Sequence, residues 1–176
     1  PKFGKSCVAF NLNRLQVASS SLFAAGTQDF TIRLWIRPTP GGPTGLLIAK
    51  RNTAATFGPF RITYLSTKQI QFSYSTTGSS ETVATSPADS VVEGEWNHVA
   101  FVRHGPNFYG FVNGQLLATL ATSAAALFTN THTLNIGREA DNSNPYSGDM
   151  QELEFIVGTA VWSAPFAPPT LPRSNR

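Results

Sequence analysis

Apolar residues recur at every second position along much of this chain, which is the period of a β-strand with one buried face. The clearest example is the segment 30–37. Its apolar set is Phe30, Ile32, Leu34 and Ile36, and its opposite set is Thr31, Arg33, Trp35 and Arg37. Prolines at positions 38, 40 and 43 then interrupt the pattern, because proline cannot donate a hydrogen bond to a neighbouring strand. We therefore predict a strand over 30–37.

The segment 96–116 predicts three further strands and two turns. The residues of its first strand fall into two sets, one for each face of the sheet. One set is Val99, Phe101 and Arg103, and the other is His98, Ala100 and Val102. Its second turn contains Asn113-Gly114, two residues that tolerate the positive φ angles of a tight type I′ turn. The pattern is that of an antiparallel meander.

The remaining alternating segments are shorter and are separated by glycine and proline. We predict strands at 46–50, 60–65, 69–74, 81–85, 116–120, 133–137 and 149–157, and an opening hairpin from 7–11 and 15–17. Only 19–25 and 122–128 are predicted to form about one helical turn each. Regular punctuation by 14 glycines and 12 prolines favours an all-β sandwich of antiparallel strands.

Length and composition indicate a single domain, 1–176, with a proline-rich extended tail at 162–176. Charged residues make up 13% of the chain, below the ~25% of typical soluble domains, whereas serine and threonine together number 35. The net charge of +3 is small and scattered, so the sequence predicts no nucleic-acid partner. No apolar run reaches the ~18 residues of a membrane span, so no membrane insertion is predicted. The single cysteine excludes an intrachain disulfide.

Five segments, taken in order, resemble the laminin-G-like jelly rolls of the concanavalin A-like lectin/glucanase superfamily. They are Phe30-Thr-Ile-Arg-Leu-Trp-Ile-Arg-Pro38, Leu46-Leu-Ile-Ala-Lys50, Gly94-Glu-Trp96-Asn-His98-Val-Ala, Phe111-Val-Asn-Gly-Gln-Leu116, and Leu134-Asn-Ile-Gly137 with Gly148-Asp-Met-Gln-Glu-Leu153. The resemblance implies an antiparallel jelly-roll β-sandwich that binds glycans without catalysis.

Both ends of the chain resemble such modules in bacteriophage tail and virion proteins, on the segments Lys2-Phe-Gly-Lys-Ser and Gly158-Thr-Ala-Val-Trp162-Ser-Ala-Pro-Phe166-Ala-Pro-Pro169. This resemblance implies a lectin-like attachment module on a virion surface, with host-cell glycans and other virion proteins as partners. A purely structural virion protein, such as a capsid decoration or tail component, is the alternative, and a glycan hydrolase or lyase is the third. An extracellular or cell-surface location stays open, as does whether the chain is complete or part of a larger fibre.

The large apolar residues of the tail, Trp162, Phe166 and Leu171, must pack on the sandwich or on a neighbour. Left exposed, they would form an apolar patch of the kind that marks interfaces. The sequence therefore predicts a homo-oligomer or multicopy assembly, with packing of the tail on its own domain as the alternative.

The last predicted strand departs from the family pattern. Gln151 stands where the family often has an acid, and the apolar positions that follow Met150 are spaced three, then two, then two. This spacing predicts a β-bulge near Gln151. Glu152 and Glu154 would share a strand face, as the carboxyls of a glycosidase do, but the central Asp of the resembling Glu-x-Asp-x-x-Glu glucanase strand is missing. Leu153 lies between the two glutamates, and no third acid follows. A solvated strand face is therefore predicted.

The oxygen-rich loop 137–149 resembles the Gly-x-Glu-x-Asp calcium loop of pentraxins. The resemblance implies a calcium site with carboxylates from Glu139 and Asp141, the carbonyl of Ala140, and Asn52 from another loop. Calcium prefers six to eight oxygen ligands, and only four or five can be nominated. An ordinary polar turn is the alternative.

Exposed aromatic rings are the usual platforms for sugar rings, with amides alongside to bind hydroxyl groups. Tyr146, between Asn142 and Asn144 on one side and Ser147 on the other, is the best-placed candidate, and Phe57 is another. Packing inside the domain is the alternative for each ring. Trp35 and Tyr109 lie within alternating strands and are interpreted as structural.

Overall fold

In the computed structural model, which describes residues 1–4, 6–53 and 55–171, the chain folds into strands and one short 3₁₀ helix. The elements are β1 Val8–Asn11, β2 Leu15–Val17, the helix Ser21–Phe23, β3 Phe30–Pro38, β4 Gly45–Ala49, β5 Phe60–Leu65, β6 Gln69–Tyr74, β7 Thr82–Thr85, β8 Asn97–His104, β9 Asn107–Val112, β10 Gln115–Leu120, β11 Leu134–Ile136 and β12 Ser147–Val157.

These strands form two antiparallel sheets of six strands each. The first sheet has the order β1-β12-β3-β8-β9-β10, and the second has the order β2-β11-β4-β5-β6-β7. Every neighbouring pair is antiparallel. The predicted all-β sandwich is therefore confirmed. No helix among the described residues is long and apolar enough to cross a membrane.

The core lies between the sheets and is built from the predicted apolar faces. From β3 it receives Phe30, Ile32, Leu34 and Ile36, and from β6 it receives Ile70, Phe72 and Tyr74. The other face of the first sheet is covered by the tail, since Trp162 and Phe166 pack with Ala100, Val102 and Phe111. Period-two alternation thus supplies two apolar layers, one on each face of the first sheet.

Residues 158–171, which include the described part of the tail, contain no helix or strand, and Trp162 and Phe166 pack on their own domain. The rings of Trp162 and Phe166 stack with centroids 3.8 Å apart, and both meet His98 edge-on. Leu171 is exposed. The rest of the predicted tail, 172–176, lies outside the described residues.

The predicted opening hairpin is wrong. Residues of β1 pair with β12 in the first sheet, whereas β2 pairs with β11 in the second. Leu12, which follows β1, has φ of +61° and donates its N–H to the carbonyl of Tyr146. The chain therefore crosses between the sheets here instead of turning back within one.

Of the two predicted helical segments, only the first contains helix. The helix Ser21–Phe23 is capped by the hydroxyl of Ser20, which accepts the N–H of Leu22. In the segment 122–128, the N–H groups of Leu127 and Phe128 bind distant carbonyls instead of closing a helical turn. Long-range hydrogen bonds override the weak local preference there.

Two local predictions are confirmed. Asn113 and Gly114 have φ angles of +50° and +76°, as a type I′ turn requires. The pairing of β12 with β3 shifts between Gln151 and Glu154, and Glu152 has a φ of +54°, which is the predicted bulge.

Candidate functional site

Tyr146 is not an exposed platform, which corrects the leading sequence-based candidate for sugar binding. Its side chain is 0% exposed and packs edge-on against the rings of Phe10 and Tyr64. Its position explains this, because Tyr146 precedes Met150 by four residues and therefore shares the inward face with it. Burial raises the pKa of the Tyr146 phenol, and its hydroxyl has no hydrogen-bond partner among the described residues.

Replacing Tyr146 with phenylalanine is expected to raise the free energy of unfolding by about 1 kcal/mol, because it removes an unsatisfied buried polar group. Since the folded pKa of Tyr146 is raised, wild-type stability is fully present below the unfolded pKa of about 10 and falls above it. Tyr146→Phe is therefore expected to lose less stability than wild type between about pH 9 and 11. Urea denaturation over this pH range measures both effects. A destabilised variant would contradict the placement of the Tyr146 hydroxyl as a buried group without a hydrogen-bond partner.

The other three residues nominated for sugar binding are spread over two loops. Asn142 is exposed and Asn144 is half-buried, and both have positive φ angles, +68° and +46°. The side-chain oxygen of Asn142 accepts a hydrogen bond from Arg14. Phe57 is half-buried in the 51–59 loop. With Tyr146 in the core, the 137–149 loop presents no aromatic ring.

Oxygens of the loop nominated for calcium have partners within the chain instead. Nη1 of Arg14 donates to the carbonyls of Glu139 and Ala140, at 3.0 and 2.6 Å. Asp141 does approach Asn52, but through its N–H, which donates to the Asn52 carbonyl, while its carboxylate accepts from Ser143. Within the part of the chain that the structure describes, no three acidic, histidine or cysteine side chains could share a metal. The predicted calcium arrangement does not fit this loop.

Glu139 itself belongs to a buried chain of ion pairs. Its Oε1 accepts from Nη2 and Nε of Arg51, at 2.5 and 2.9 Å, and neither residue is appreciably exposed. Arg51 lies 3.5 Å from Glu81, which is also bound by Arg61 at 2.6 Å. Burying an unpaired charge is costly, so the Arg51–Glu139 pair holds the 51–59 loop against the 137–149 loop.

A groove of about 570 Å³ lies elsewhere, at the end of the first sheet where β3 and β8 meet. It has two indole rings, Trp35 and Trp96, and its lining comes from five separate parts of the chain. The lining residues are Lys2, Phe3, Trp35, Val92, Glu95, Trp96, Asn97, Asn113, Pro168, Pro169 and Thr170. We call this the Trp96 groove.

The N-terminal wall of the Trp96 groove is held by Gln151. Its Oε1 accepts the N–H groups of Lys2 and Phe3, and its Nε2 donates to the carbonyls of Phe3 and Ser6. A carboxylate could accept but not donate, which explains the departure from the family's acid. The ring of Phe3 then meets Trp35 edge-on, and Nζ of Lys2 lies 4.4 Å from the centroid of Trp35.

The opposite wall carries Trp96, which is only partly buried. The guanidinium carbon of Arg37 lies 5.3 Å from its ring centroid, and Arg37 is itself bound by Asp149. Asn97 fixes the 92–97 turn, because its amide donates to the carbonyls of Val92 and Glu95. The indole of Trp96 is therefore attached to a rigid turn.

The floor and the third wall come from the Asn113-Gly114 turn and the tail. Asn113 donates to Asn97 Oδ1 and accepts the N–H of His98, so the turn is tied to the start of β8. Phe166 donates its N–H to the carbonyl of Gly114. A Cβ at Gly114 would overlap the Phe166 carbonyl. Glycine here lets the tail approach and places Pro168 at the groove.

The Trp96 groove offers the chemistry of a saccharide site. An accessible indole face can pack against the C–H face of a pyranose, while Lys2, Glu95, Asn113 and Thr170 offer charged and polar groups to hydroxyls. A few polar groups on an apolar surface are typical of ligand sites. The acids weighed for catalysis are engaged elsewhere, since Glu154 is bound by Arg33 at 2.5 Å and Glu152 occupies the bulge.

The sequence contained one signal for this groove. Trp96 stands at the start of the predicted strands of 96–116, directly after Gly94-Glu95, and an aromatic residue at the end of a strand can lie at the rim of a sheet. The contributions of Lys2 and Pro168 depend on tertiary packing. Trp35, interpreted as structural, is nearly buried but does line the groove.

A family model described as the concanavalin A-like lectin/glucanases superfamily matches residues 12–159. The chain belongs to this superfamily. Its laminin-G-like sandwich is the jelly roll that the sequence motifs implied. No curated protein matches the sequence.

Solved structures show the same concanavalin A-like fold at low sequence identity. The CBM40 module of the Ruminococcus gnavus IT-sialidase is 14% identical, with a TM-score of 0.65, over 86% of this chain and 95% of that one. A heptameric SAP-like pentraxin from Limulus polyphemus is 18% identical, with a TM-score of 0.59, over 87% and 72%. A putative carbohydrate binding protein from Bacteroides ovatus is 16% identical, with a TM-score of 0.62, over 85% and 42%.

Proposed function

We propose that this protein is a non-catalytic carbohydrate-binding module whose glycan lies in the Trp96 groove. The observation that carries the proposal is the groove itself, which places the partly exposed ring of Trp96 beside Lys2, Glu95 and Asn113. The fold neighbours support it, since the R. gnavus CBM40 has been solved bound to α2,3 and α2,6 sialyllactose. A rim of exposed polar groups around an aromatic ring suits a sugar better than a flat protein surface.

The groove is organised before any ligand arrives. Trp96 is held on its turn by Asn97, and the tail is fixed by Phe166 at Gly114. Asn113 retains an N–H on Nδ2 after donating to Asn97, so it can donate to a sugar oxygen. Little conformational entropy is then lost on binding. Single-site affinity for a short saccharide is expected to be modest and to increase with the number of linked copies.

Replacing Trp96 with alanine is expected to weaken glycan binding at least about 30-fold, corresponding to about 2 kcal/mol for truncating a central aromatic contact. A glycan array with wild-type protein identifies the ligand, and calorimetry with that ligand measures the loss. Phe57→Ala is the matched control, because Phe57 is a half-buried aromatic outside the groove. Equal binding by wild type and Trp96→Ala, or loss only in Phe57→Ala, would overturn the groove assignment.

The same glycan is expected to remain intact. Hydrolysis with retention needs two carboxyl groups about 5–5.5 Å apart around the scissile bond, and Glu95 is the one carboxylate that lines the groove among the described residues. Incubation with wild-type protein should release no reducing ends and no unsaturated product absorbing in the ultraviolet. Reproducible cleavage that is lost in Glu95→Gln would show that the protein is an enzyme.

The setting of this module stays a prediction from the sequence resemblance. We propose a virion surface, where many copies would hold a host cell through weak individual contacts. Mass spectrometry of purified particles, with antibody labelling of their surface, tests this location. Recovery of the protein only from uninfected cells or their medium would favour the extracellular or cell-surface alternative.

A further inference from the structure

A second groove, of about 350 Å³, adjoins the Trp96 groove. We call it the Lys68 groove, and its lining residues are Pro40, Lys68, Asp89, Val91, Val92 and Glu93. Val92 lines both grooves and is 56% exposed. Each groove alone lies within the range of about 300–1,000 Å³ that is usual for small-molecule sites. A ligand that is longer than the Trp96 groove can therefore pass over Val92 into the Lys68 groove.

The wall that the two grooves share is held by backbone hydrogen bonds. Val91 is buried and donates its N–H to the carbonyl of Lys68, at 3.1 Å. Gly94 donates its N–H to the carbonyl of Pro38, at 2.8 Å, which fixes the turn against the end of β3. The segment 91–97 contributes to both grooves, so these bonds also fix the position of one groove relative to the other.

Glu93 is a positioned hydrogen-bond acceptor in the Lys68 groove. The hydroxyl of Tyr64 donates to its Oε1, at 2.7 Å, and Tyr64 is itself 0% exposed in the core. Burial and this bond to Glu93 raise the pKa of the Tyr64 phenol, so the phenol stays a donor at neutral pH. A carboxylate has about four acceptor sites. Glu93 can therefore accept a sugar hydroxyl while Tyr64 holds it in place.

Lys68 and Asp89 supply the other polar side chains of the Lys68 groove. Nζ of Lys68 lies 3.2 Å from Oδ1 of Asp89, and the two side chains are 45% and 76% exposed. Both residues have positive φ angles, +58° and +56°. Glycine, asparagine and aspartate are the residues that usually adopt this conformation, and lysine there is uncommon. Local strain of this kind is found most often at ligand sites.

We propose that the two grooves form one site for a neutral oligosaccharide, with its first sugars on Trp96 and the following sugars in the Lys68 groove. This inference rests on the function proposed for the Trp96 groove. Sugar hydroxyls both donate and accept, so they suit a groove with one ammonium group and two carboxylates. Val92 supplies an apolar surface between the grooves for the C–H face of a pyranose.

The charges of the two grooves favour a neutral chain over an acidic one. The charged residues that line them are two lysines and three acids, a net charge of −1: Lys2, Lys68, Asp89, Glu93 and Glu95. Lys2 lies over the ring of Trp35, and Lys68 is paired with Asp89. A sialic or uronic acid would place a further negative charge near the carboxylates, and like charges disfavour binding. The α2,3 sialyllactose seen on a CBM40 neighbour is therefore expected to bind this protein more weakly than an uncharged chain does.

Calorimetry with oligosaccharides of two lengths tests the proposal. The probes are maltose and maltohexaose, cellobiose and cellohexaose, and the dimer and hexamer of β1,4-linked N-acetylglucosamine, with α2,3 sialyllactose as the anionic comparison. In at least one series the hexasaccharide is expected to bind wild type at least about 30-fold more tightly than the disaccharide, because a hydrogen bond to a charged group changes affinity about 10- to 100-fold. Sialyllactose is expected to bind more weakly than that hexasaccharide.

The double variant Lys68→Gly/Asp89→Gly removes both side chains, and glycine adopts their positive φ angles without strain. It should bind the disaccharide as wild type does and keep a gain with length of at most about five-fold, which a longer chain has from its additional binding registers. Asn142→Gly is the matched control, because Asn142 is also exposed, has a φ of +68° and lines neither groove. This control should keep the full gain.

Circular dichroism establishes that each variant is folded. If the double variant does not fold, ¹⁵N NMR of wild type replaces it, and the amide signals of residues 68 and 89–93 should shift with the hexasaccharide but not with the disaccharide. Shifts of these signals with both lengths, or with neither, would overturn the proposal.

Three calorimetric results would also overturn it: no binding or no gain with length in any series, a gain that the double variant keeps in full, or tighter binding of sialyllactose than of every hexasaccharide. Trp96→Ala separates this inference from the proposed function. A hexasaccharide that binds Trp96→Ala as tightly as wild type contradicts the Trp96 groove itself. A missing gain with length, while Trp96→Ala still weakens binding, contradicts the Lys68 groove alone.

Discussion

Replacing Glu139 with alanine is expected to lower the free energy of unfolding by about 3–5 kcal/mol, the usual cost of removing one partner of a buried ion pair. Glu139 is fully buried, and its Oε1 accepts two N–H groups of Arg51, which is itself only 3% exposed. Among the described residues, Arg51 would then keep its longer contact with Glu81 and its hydrogen bond to the carbonyl of Thr56. Urea denaturation measures the loss.

Two comparisons make the Glu139 result specific. Asp141→Ala, an exposed acid in the same loop, is expected to cost under about 1 kcal/mol. The double variant Arg51→Met/Glu139→Leu is expected to recover most of the loss, because apolar replacement of a buried pair is often near neutral. Equal losses in the two single variants, together with a calcium-dependent rise in melting temperature, would instead indicate a metal loop.

Replacing Gly114 with alanine is expected to cost about 2–4 kcal/mol through backbone strain and displacement of the tail. Gly114 has a φ of +76°, and a Cβ there would overlap the carbonyl oxygen of Phe166. The tail would have to move, which would separate Trp162 and Phe166 from the first sheet. Urea denaturation gives the stability change, and the tryptophan fluorescence of the folded variant reports the displacement.

Gly105 provides the control for Gly114. It also has a positive φ, +57°, but a Cβ there would meet nothing within 4 Å. Gly105→Ala is therefore expected to cost only the conformational penalty, about 1 kcal/mol. Equal costs at the two positions would mean that the tail does not depend on the close approach at Gly114.

Most of the strands could be predicted because one face of each strand packs into the core between the sheets, and a period of two then identifies both the strand and that face. The segment 30–37 and the Asn113-Gly114 turn are of this kind. The opening hairpin could not be predicted, because proximity in sequence favours pairing of adjacent strands, whereas β1 pairs with β12, nearly the whole chain away. The choice between a β1–β2 hairpin and separate pairing of the two strands depends on how both complete sheets assemble.

The site was harder to predict than the fold. The composition of the 137–149 loop suggested metal ligands, but Arg14 and Arg51, which bind its oxygens, come from other segments. Tyr146 could have been placed correctly, because continuing the alternation backwards from Met150 puts it on the inward face. The Trp96 groove joins residues 2, 35, 96 and 168, and no local pattern links these positions.

The most direct test of the central claim is an NMR titration of ¹⁵N-labelled protein with the best glycan from the array. The chain has three tryptophans, so the indole N–H signals report on Trp35 and Trp96 in the groove and on Trp162 in the tail. Saturable shifts of the Trp96 signal, smaller shifts of Trp35 and an unchanged Trp162 are the predicted result. Saturable binding that leaves the Trp96 signal in place, with its largest shifts in the 137–149 loop, would contradict the account.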